Sequence, residues 1–207
     1  MHILFVLELI GTVAFAGSGA IVGIQKKMDL FGVCILGLTT AVGGGILRDL
    51  ILNVTPPAAF QNPAFALTAV LVSLALFLPS VRSSYGRREA LYKELILLMD
   101  SLGLGLFTVV GVQSGMAAMA ERNLFLATFV GVLTGVGGGV MRDVMAGNMP
   151  NIFVRHFYAC AAILGAWCCA LLWGVIGELP SMIAGAALTL VLRLLAAHYR
   201  WSLPKAK

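Results

Sequence analysis

Charge is what this chain has least of. Aspartate, glutamate, lysine and arginine make up 11% of its 207 residues, against about a quarter in an ordinary soluble domain. No charged residue lies between Asp49 and Arg82, between Asp100 and Glu121, or between Arg155 and Glu178. Helices of about 20 apolar residues cross the roughly 30 Å hydrocarbon layer of a bilayer. With 60% hydrophobic residues and a mean hydropathy of +0.98, the chain reads as an all-α membrane protein.

Motifs for chemistry are missing as well. There is no Walker motif, HExxH motif, nucleophile elbow or paired-cysteine site, so no enzyme, no cofactor and no structural metal site are expected. Cys34, Cys160, Cys168 and Cys169 lie inside apolar spans without metal-ligand spacing and read as small packing residues. His2, His156 and His198 fall at span ends. GSGAIVG at 17–23 has the glycines of a dinucleotide loop but sits inside a membrane helix, where the strand-to-helix context is lacking. The first segment lacks a basic n-region and its apolar stretch is too long for a secretory signal, so it reads as a retained helix.

Polar breaks give seven spans, at 2–24, 31–54, 63–81, 92–117, 124–147, 154–174 and 181–198. The first, third and fifth loops and the tail carry Lys26, Lys27, Arg82, Arg87, Arg88, Lys93, Arg155, Arg200, Lys205 and Lys207, while the other loops carry only Arg122. The positive-inside rule then puts the N-terminus outside and the C-terminus in the cytoplasm of the cell (inner) membrane. The net charge of +5 is thus a topology signal and points to no nucleic-acid partner.

The two halves align at an offset of 94, GLTTAVGGGILRD (37–49) lying over GVLTGVGGGVMRD (131–143), Leu30 over Leu124, Gly17 over Gly111 and Pro56 over Pro150. Three spans per copy reverse the second copy in the membrane. The expected design is a single membrane domain, 1–207, built as an inverted 3+3 repeat plus one helix. It divides into a first repeat at 1–81, a cytoplasmic loop at 82–91, a second repeat at 92–174 and a seventh helix at 181–198.

The triplets Gly43, Gly44, Gly45 and Gly137, Gly138, Gly139 sit mid-span in helices two and five. Each glycine weakens a helix by roughly 1 kcal/mol relative to alanine, so both helices are expected to be broken there and to line a pathway. Close helix packing is the alternative use of such residues. Arg48, Asp49, Arg142 and Asp143 follow three to four residues on, as pore or gating charges or as side chains reaching the interface. Arg and Asp neighbours stand about 100° apart around a helix and are expected to find partners elsewhere. Asp100 either faces a basic group or lies near the membrane edge, and Glu8 caps or faces an outer vestibule. Thr39, Thr40, Thr134 and Ser101 are candidate pore hydroxyls that alternatively bond back to their helices. Thr108, Gln113, Ser114 and Arg193 are further intramembrane polar groups.

The segments ELIGTVAFAGSGA, MDLFG, TAVGGGILRD, MDSLGLGLFTVVGVQSG and GVGGGVMRD together resemble the bacterial branch of the trimeric intracellular cation channel (TRIC) family, a branch also headed glycine transporter. The resemblance implies a homotrimer in the lipid bilayer, with one hydrophilic pore per seven-helix protomer conducting monovalent cations, K⁺ as the usual ion, with K⁺ or Na⁺ held only transiently. It also implies kinks and pore lining at the two triplets, and gating or lipid contact at Arg48 and Arg142. The Lys-Glu-Val motif of the animal members is absent from this sequence. A carrier of a small zwitterion such as glycine is the alternative, since inverted repeats also build carriers.

Overall fold

A computed structural model describes residues 2–79, 89–118, 121–154 and 157–201. Arg82, Arg87 and Arg88 of the expected 82–91 loop lie outside them, as do Arg155, His156, Lys205 and Lys207. The described residues form α1 (His2–Gln25), α2 (Leu30–Ile51), α3 (Ala58–Gln61), α4 (Pro63–Phe77), α5 (Glu89–Ala117), α6 (Leu124–Met145), α7 (Asn151–Val154), α8 (Tyr158–Ile176) and α9 (Glu178–His198). Six of these helices, α1, α2, α5, α6, α8 and α9, contain stretches long and apolar enough to cross a membrane.

The seventh apolar helix is shorter than the expected span at 63–81. Asn62 starts α4 by accepting from the Ala64 N–H at 3.0 Å. Leu78 ends it in an extended conformation with ψ 141°, the geometry that a following proline, here Pro79, imposes.

Matching local chemistry shapes α2 and α6. Asp29 accepts from the Gly32 N–H at 2.7 Å, and Asn123 accepts from the Leu126 N–H at 2.9 Å, each capping its helix. Both helices end in a left-handed residue, Asn53 (φ 57°) and Gly147 (φ 67°). Between these ends the expected breaks are absent, because α2 and α6 stay α-helical through both glycine triplets. Tertiary contact outweighs the low helix propensity of glycine: α2 and α6 pack directly on one another, with α1 and α5 alongside.

The α2–α6 contact is reciprocal. A Cβ on Gly44 would overlap the carbonyl oxygen of Thr134, and a Cβ on Gly138 would overlap that of Thr40. Gly137 faces Gly44, where a Cβ would come within 3.1 Å of the Gly44 Cα. The packing use of the glycines is therefore present at the centre of the molecule. Phe15 of α1 and Phe107 of α5 pack beside it with ring centroids 5.2 Å apart and planes tilted by 43°. A Cβ on Gly103 would strike the Phe15 ring, and one on Gly11 would come within 3.1 Å of the Phe107 ring.

These contacts also correct the ungapped alignment of the halves. Gly19 packs on Thr40 and Gly37 as Gly111 packs on Thr134 and Gly131, and Gly23 packs on Val33 as Gly115 packs on Ala127. The first helix of each half thus corresponds at an offset of 92 (19 to 111), while α2 and α6 keep 94 (44 to 138). Gly17 is not the counterpart of Gly111. The extra length falls between the helices, where identity scoring has nothing to register.

Candidate functional site

Arg48 and Arg142 lie one turn beyond the α2–α6 crossing on their own helices, and α1 shows that they point to opposite ends of it. Arg48 faces Glu8, with Nη1 3.6 Å from Oε1. Arg142 Nη1 donates to Ser18 Oγ at 2.5 Å. Ten residues of α1 separate Glu8 from Ser18, about 15 Å at 1.5 Å per residue.

Each arginine does bind its neighbouring aspartate, contrary to the expectation from helical angles. Arg48 Nε donates to Asp49 Oδ1 at 2.7 Å, and Arg142 Nε donates to Asp143 Oδ1 at 2.9 Å. The angle of 100° describes Cβ directions, whereas a long arginine side chain can fold back along the helix to bring Nε to its neighbour. The second carboxylate oxygen ties down the returning chain: Asp49 Oδ2 accepts from the Ala58 N–H at 2.8 Å, and Asp143 Oδ2 accepts from the Asn151 N–H at 2.9 Å. Each Arg-Asp pair thereby fastens a short helix, α3 or α7, under the end of its long one.

Asp100 faces a basic group and is buried. Its Oδ1 accepts from Arg142 Nη1 at 2.6 Å, and its Oδ2 lies 3.9 Å from Arg193 Nη2. Its side chain is 3% exposed, against 21% for Glu8. Glu8 and Asp100 hold equivalent places, since the 92-residue offset that matches Gly11 to Gly103 also matches 8 to 100. The guanidinium of Arg193, from α9, sits 4.5 Å over the Tyr158 ring of α8, an arrangement that favours a cation.

The hydroxyl candidates divide. Thr40 Oγ1 donates to the Leu36 carbonyl and Thr134 Oγ1 to the Val130 carbonyl, both at 2.6 Å, so both bond back to their helices. Thr39 is half-buried, and Ser101 is fully buried with no hydrogen-bond partner for its Oγ. Tyr158 Oη and Thr108 Oγ1 are likewise buried without a partner among the described residues.

Two cavities end on the two clusters. One, of about 30 Å³, is lined by Glu8, Thr12, Gly45, Arg48, Asp49 and Phe107 among others and has room for about one or two waters. The other, of about 400 Å³, is lined by Gln25, Lys93, Arg142, Asp143, Asn148 and Asn151 among others. Glu8 and Gln25 stand near opposite ends of α1, about 25 Å apart along it. The cavities therefore lie toward opposite ends of α1, on either side of the backbone contact at Gly44 and Gly138.

A family model described as Glycine transporter matches residues 5–80 and 97–174. The UPF0126 inner membrane protein YadS of Escherichia coli (strain K12) is 37% identical over 201 residues, which are 96% of this chain and 93% of that protein. A solved structure described as the structural basis for conductance through TRIC cation channels matches with a TM-score of 0.84 at 37% identity, covering 98% of this chain and 96% of that one. The chain belongs to the TRIC family. A second solved TRIC structure, the trimeric intracellular cation channel orthologue from Rhodobacter sphaeroides, matches with a TM-score of 0.85 at 30% identity, covering 97% of this chain and all 100% of that one.

Within this TRIC chain the sequence reading singled out Arg48, Asp49, Asp100, Arg142 and Asp143, and the fold draws them into two clusters around one helix crossing. It assigned no role to Ser18, Tyr158 or Arg193. Ser18 was hidden among the small residues of GSGAIVG. Arg193 did carry a signal, as a lone arginine in the apolar span LTLVLRLLAA, where an ionisable group calls for a partner.

Proposed function

We propose that this TRIC chain is a cation channel of the inner membrane, K⁺-permeable, acting as a homotrimer with one pathway through each protomer. The observation that carries the reading is the pair of polar-ended cavities converging from opposite ends on one glycine-packed crossing. The solved relatives named for cation conduction and for a trimeric cation channel support the ion class and the assembly. The two halves form an inverted repeat. The antiparallel course of α2 and α6 and the exchanged contacts Gly44–Thr134 and Gly138–Thr40 support that relation. The excess of basic residues at one set of loops supports a cytoplasmic C-terminus, which makes the Glu8 cavity the outer one and the Asn148 cavity the inner one.

In this reading a cation enters past Glu8 and Asp49, whose carboxylates outnumber Arg48 and leave that cluster a formal net charge of −1. Passage requires α2 and α6 to part at the glycines. Parting uncovers the Thr40 and Thr134 carbonyl oxygens, each with a lone pair to offer a dehydrating cation. Asp100 and Asp143 then receive the ion beside Arg142. An arginine beside a cation path raises the local barrier, so Arg48 and Arg142 act as gates rather than as binding groups. Thr39 and Ser101 flank the path.

Purified protein in planar bilayers tests this. Under a KCl gradient the single-channel current should reverse near the K⁺ equilibrium potential. No current at any voltage, or saturable uptake of labelled glycine into proteoliposomes without conductance, would overturn it in favour of a carrier.

A further inference from the structure

The Asp100 cluster has a member with no equivalent in the Glu8 cluster. Arg193 comes from α9, the helix outside the two halves, and reaches the centre because α9 is packed closely on both its neighbours. A Cβ on Gly105 of α5 would come within 2.9 Å of the Ala186 carbonyl, and one on Gly165 of α8 would overlap Thr189 Oγ1, one turn before Arg193. Ser181, Gly185, Thr189 and Arg193 form one buried stripe at four-residue spacing. The stripe ends with the Arg193 guanidinium between the Tyr158 ring and Asp100.

The two carboxylates facing the gating arginines differ in what they would meet if their arginine left. Glu8 is 21% exposed and borders a cavity, so water can take the place of Arg48. Asp100 is 3% exposed, and a buried carboxylate stripped of its partner is strongly unfavourable. Its two oxygens are divided between two arginines, Oδ1 to Arg142 at 2.6 Å and Oδ2 toward Arg193 at 3.9 Å. Tyr158 Oη, buried without a hydrogen-bond partner among the described residues, flanks Gly139 as Asp100 Oδ1 does: a Cβ there would lie 2.9 Å from the first and 3.7 Å from the second. Asp143 keeps its own ties to Arg142 Nε and the Asn151 N–H.

We propose that Arg193 is a positioning residue for gating: it holds Asp100 when Arg142 withdraws, with the Tyr158 hydroxyl as a second donor, so that Arg142 moves without stranding a buried charge. Arg142 is tied to Ser18, Asp100 and Asp143 in the closed arrangement. Arg193 closes the last distance to Oδ2 as Arg142 moves toward the inner cavity. The proposal rests on the channel reading above, and Arg193 acts on the path through Asp100.

Bilayer recording of Arg193→Gln, Arg193→Lys and Asp100→Asn tests it. R193Q should lower the open probability by at least about tenfold, the scale on which a buried charge loses a partner. R193K should stay within about threefold of the parent, because a cation remains. On an Asp100→Asn background, adding R193Q should leave the open probability unchanged, since no carboxylate is left to strand. That comparison also stands if R193Q alone does not assemble. Unaltered gating in R193Q, or a further fall when R193Q is added to Asp100→Asn, overturns the role of Arg193. Absence of current in the parent protein instead overturns the channel reading.

Discussion

Gly44 of α2 lies against the backbone carbonyl of Thr134 on α6 so closely that no side chain fits between them. Gly138 lies the same way against Thr40. The glycines are where two antiparallel helices touch backbone to backbone, with the side chains of Met141, Leu47 and Phe15 around the contact.

The three glycines of a triplet should therefore not behave alike. Gly44→Ala forces a Cβ onto backbone that cannot rotate away, and should destabilise the folded protein by about 1–3 kcal/mol. Gly45→Ala places its Cβ no nearer than 3.9 Å from Arg48 Nη2 and should be neutral or stabilising by up to about 1 kcal/mol, since alanine is the better helix former. Thermal unfolding of the purified protein in detergent, followed by loss of the size-exclusion peak, separates the two. Equal melting temperatures would show that the contact at Gly44 is looser than described.

Arg142 should matter more to stability than Arg48. Arg142→Gln strips a charge partner from Asp100 and Asp143, both deeply buried, and should cost about 3–5 kcal/mol. Arg48→Gln likewise strips Asp49, which is as buried as Asp143, but its second carboxylate is Glu8, 21% exposed where Asp100 is 3% exposed, so it should cost less. Adding Asp100→Asn to Arg142→Gln should recover part of the loss. The same melting assay checks the order, and a larger loss for Arg48→Gln would reverse the assignment of the tighter cluster.

Ser18→Ala removes the hydroxyl that accepts from Arg142 Nη1. A hydrogen bond to a charged group contributes about 1.5–3 kcal/mol, here only in the closed arrangement. Open probability should rise by roughly tenfold or more in bilayer recordings. A fall would mean that Ser18 serves the open arrangement instead.

Much of this was legible in the sequence because it follows from uncharged apolar runs and a repeated segment. Long apolar runs located the helices. The identical GGG and RD segments showed which helices correspond. What was not legible depends on distances between helices. A glycine triplet reads as a weak point on one helix, and only the partner helix reveals it as a contact surface. Arg48 and Asp49 seem turned apart on a helical wheel because the wheel plots Cβ directions and ignores the reach of an arginine. Tyr158 is an ordinary residue of α8, and Arg193 a lone arginine of α9 whose partner the sequence does not name, until the packing of those helices on α5 brings both to Asp100.

In the proposed channel the two cavities belong to one conduction path closed at the α2–α6 crossing. Cysteines placed at Ala58 in the first cavity and Asn148 in the second, with Cys34, Cys160, Cys168 and Cys169 replaced by alanine, test it through modification by a charged, membrane-impermeant thiol reagent during bilayer recording. Ala58→Cys should react from one face only and Asn148→Cys from the opposite face only, each reducing the same K⁺ current. Modification of either site that leaves the current unchanged, or reaction of both sites from the same face, would mean that the two cavities are not parts of one path.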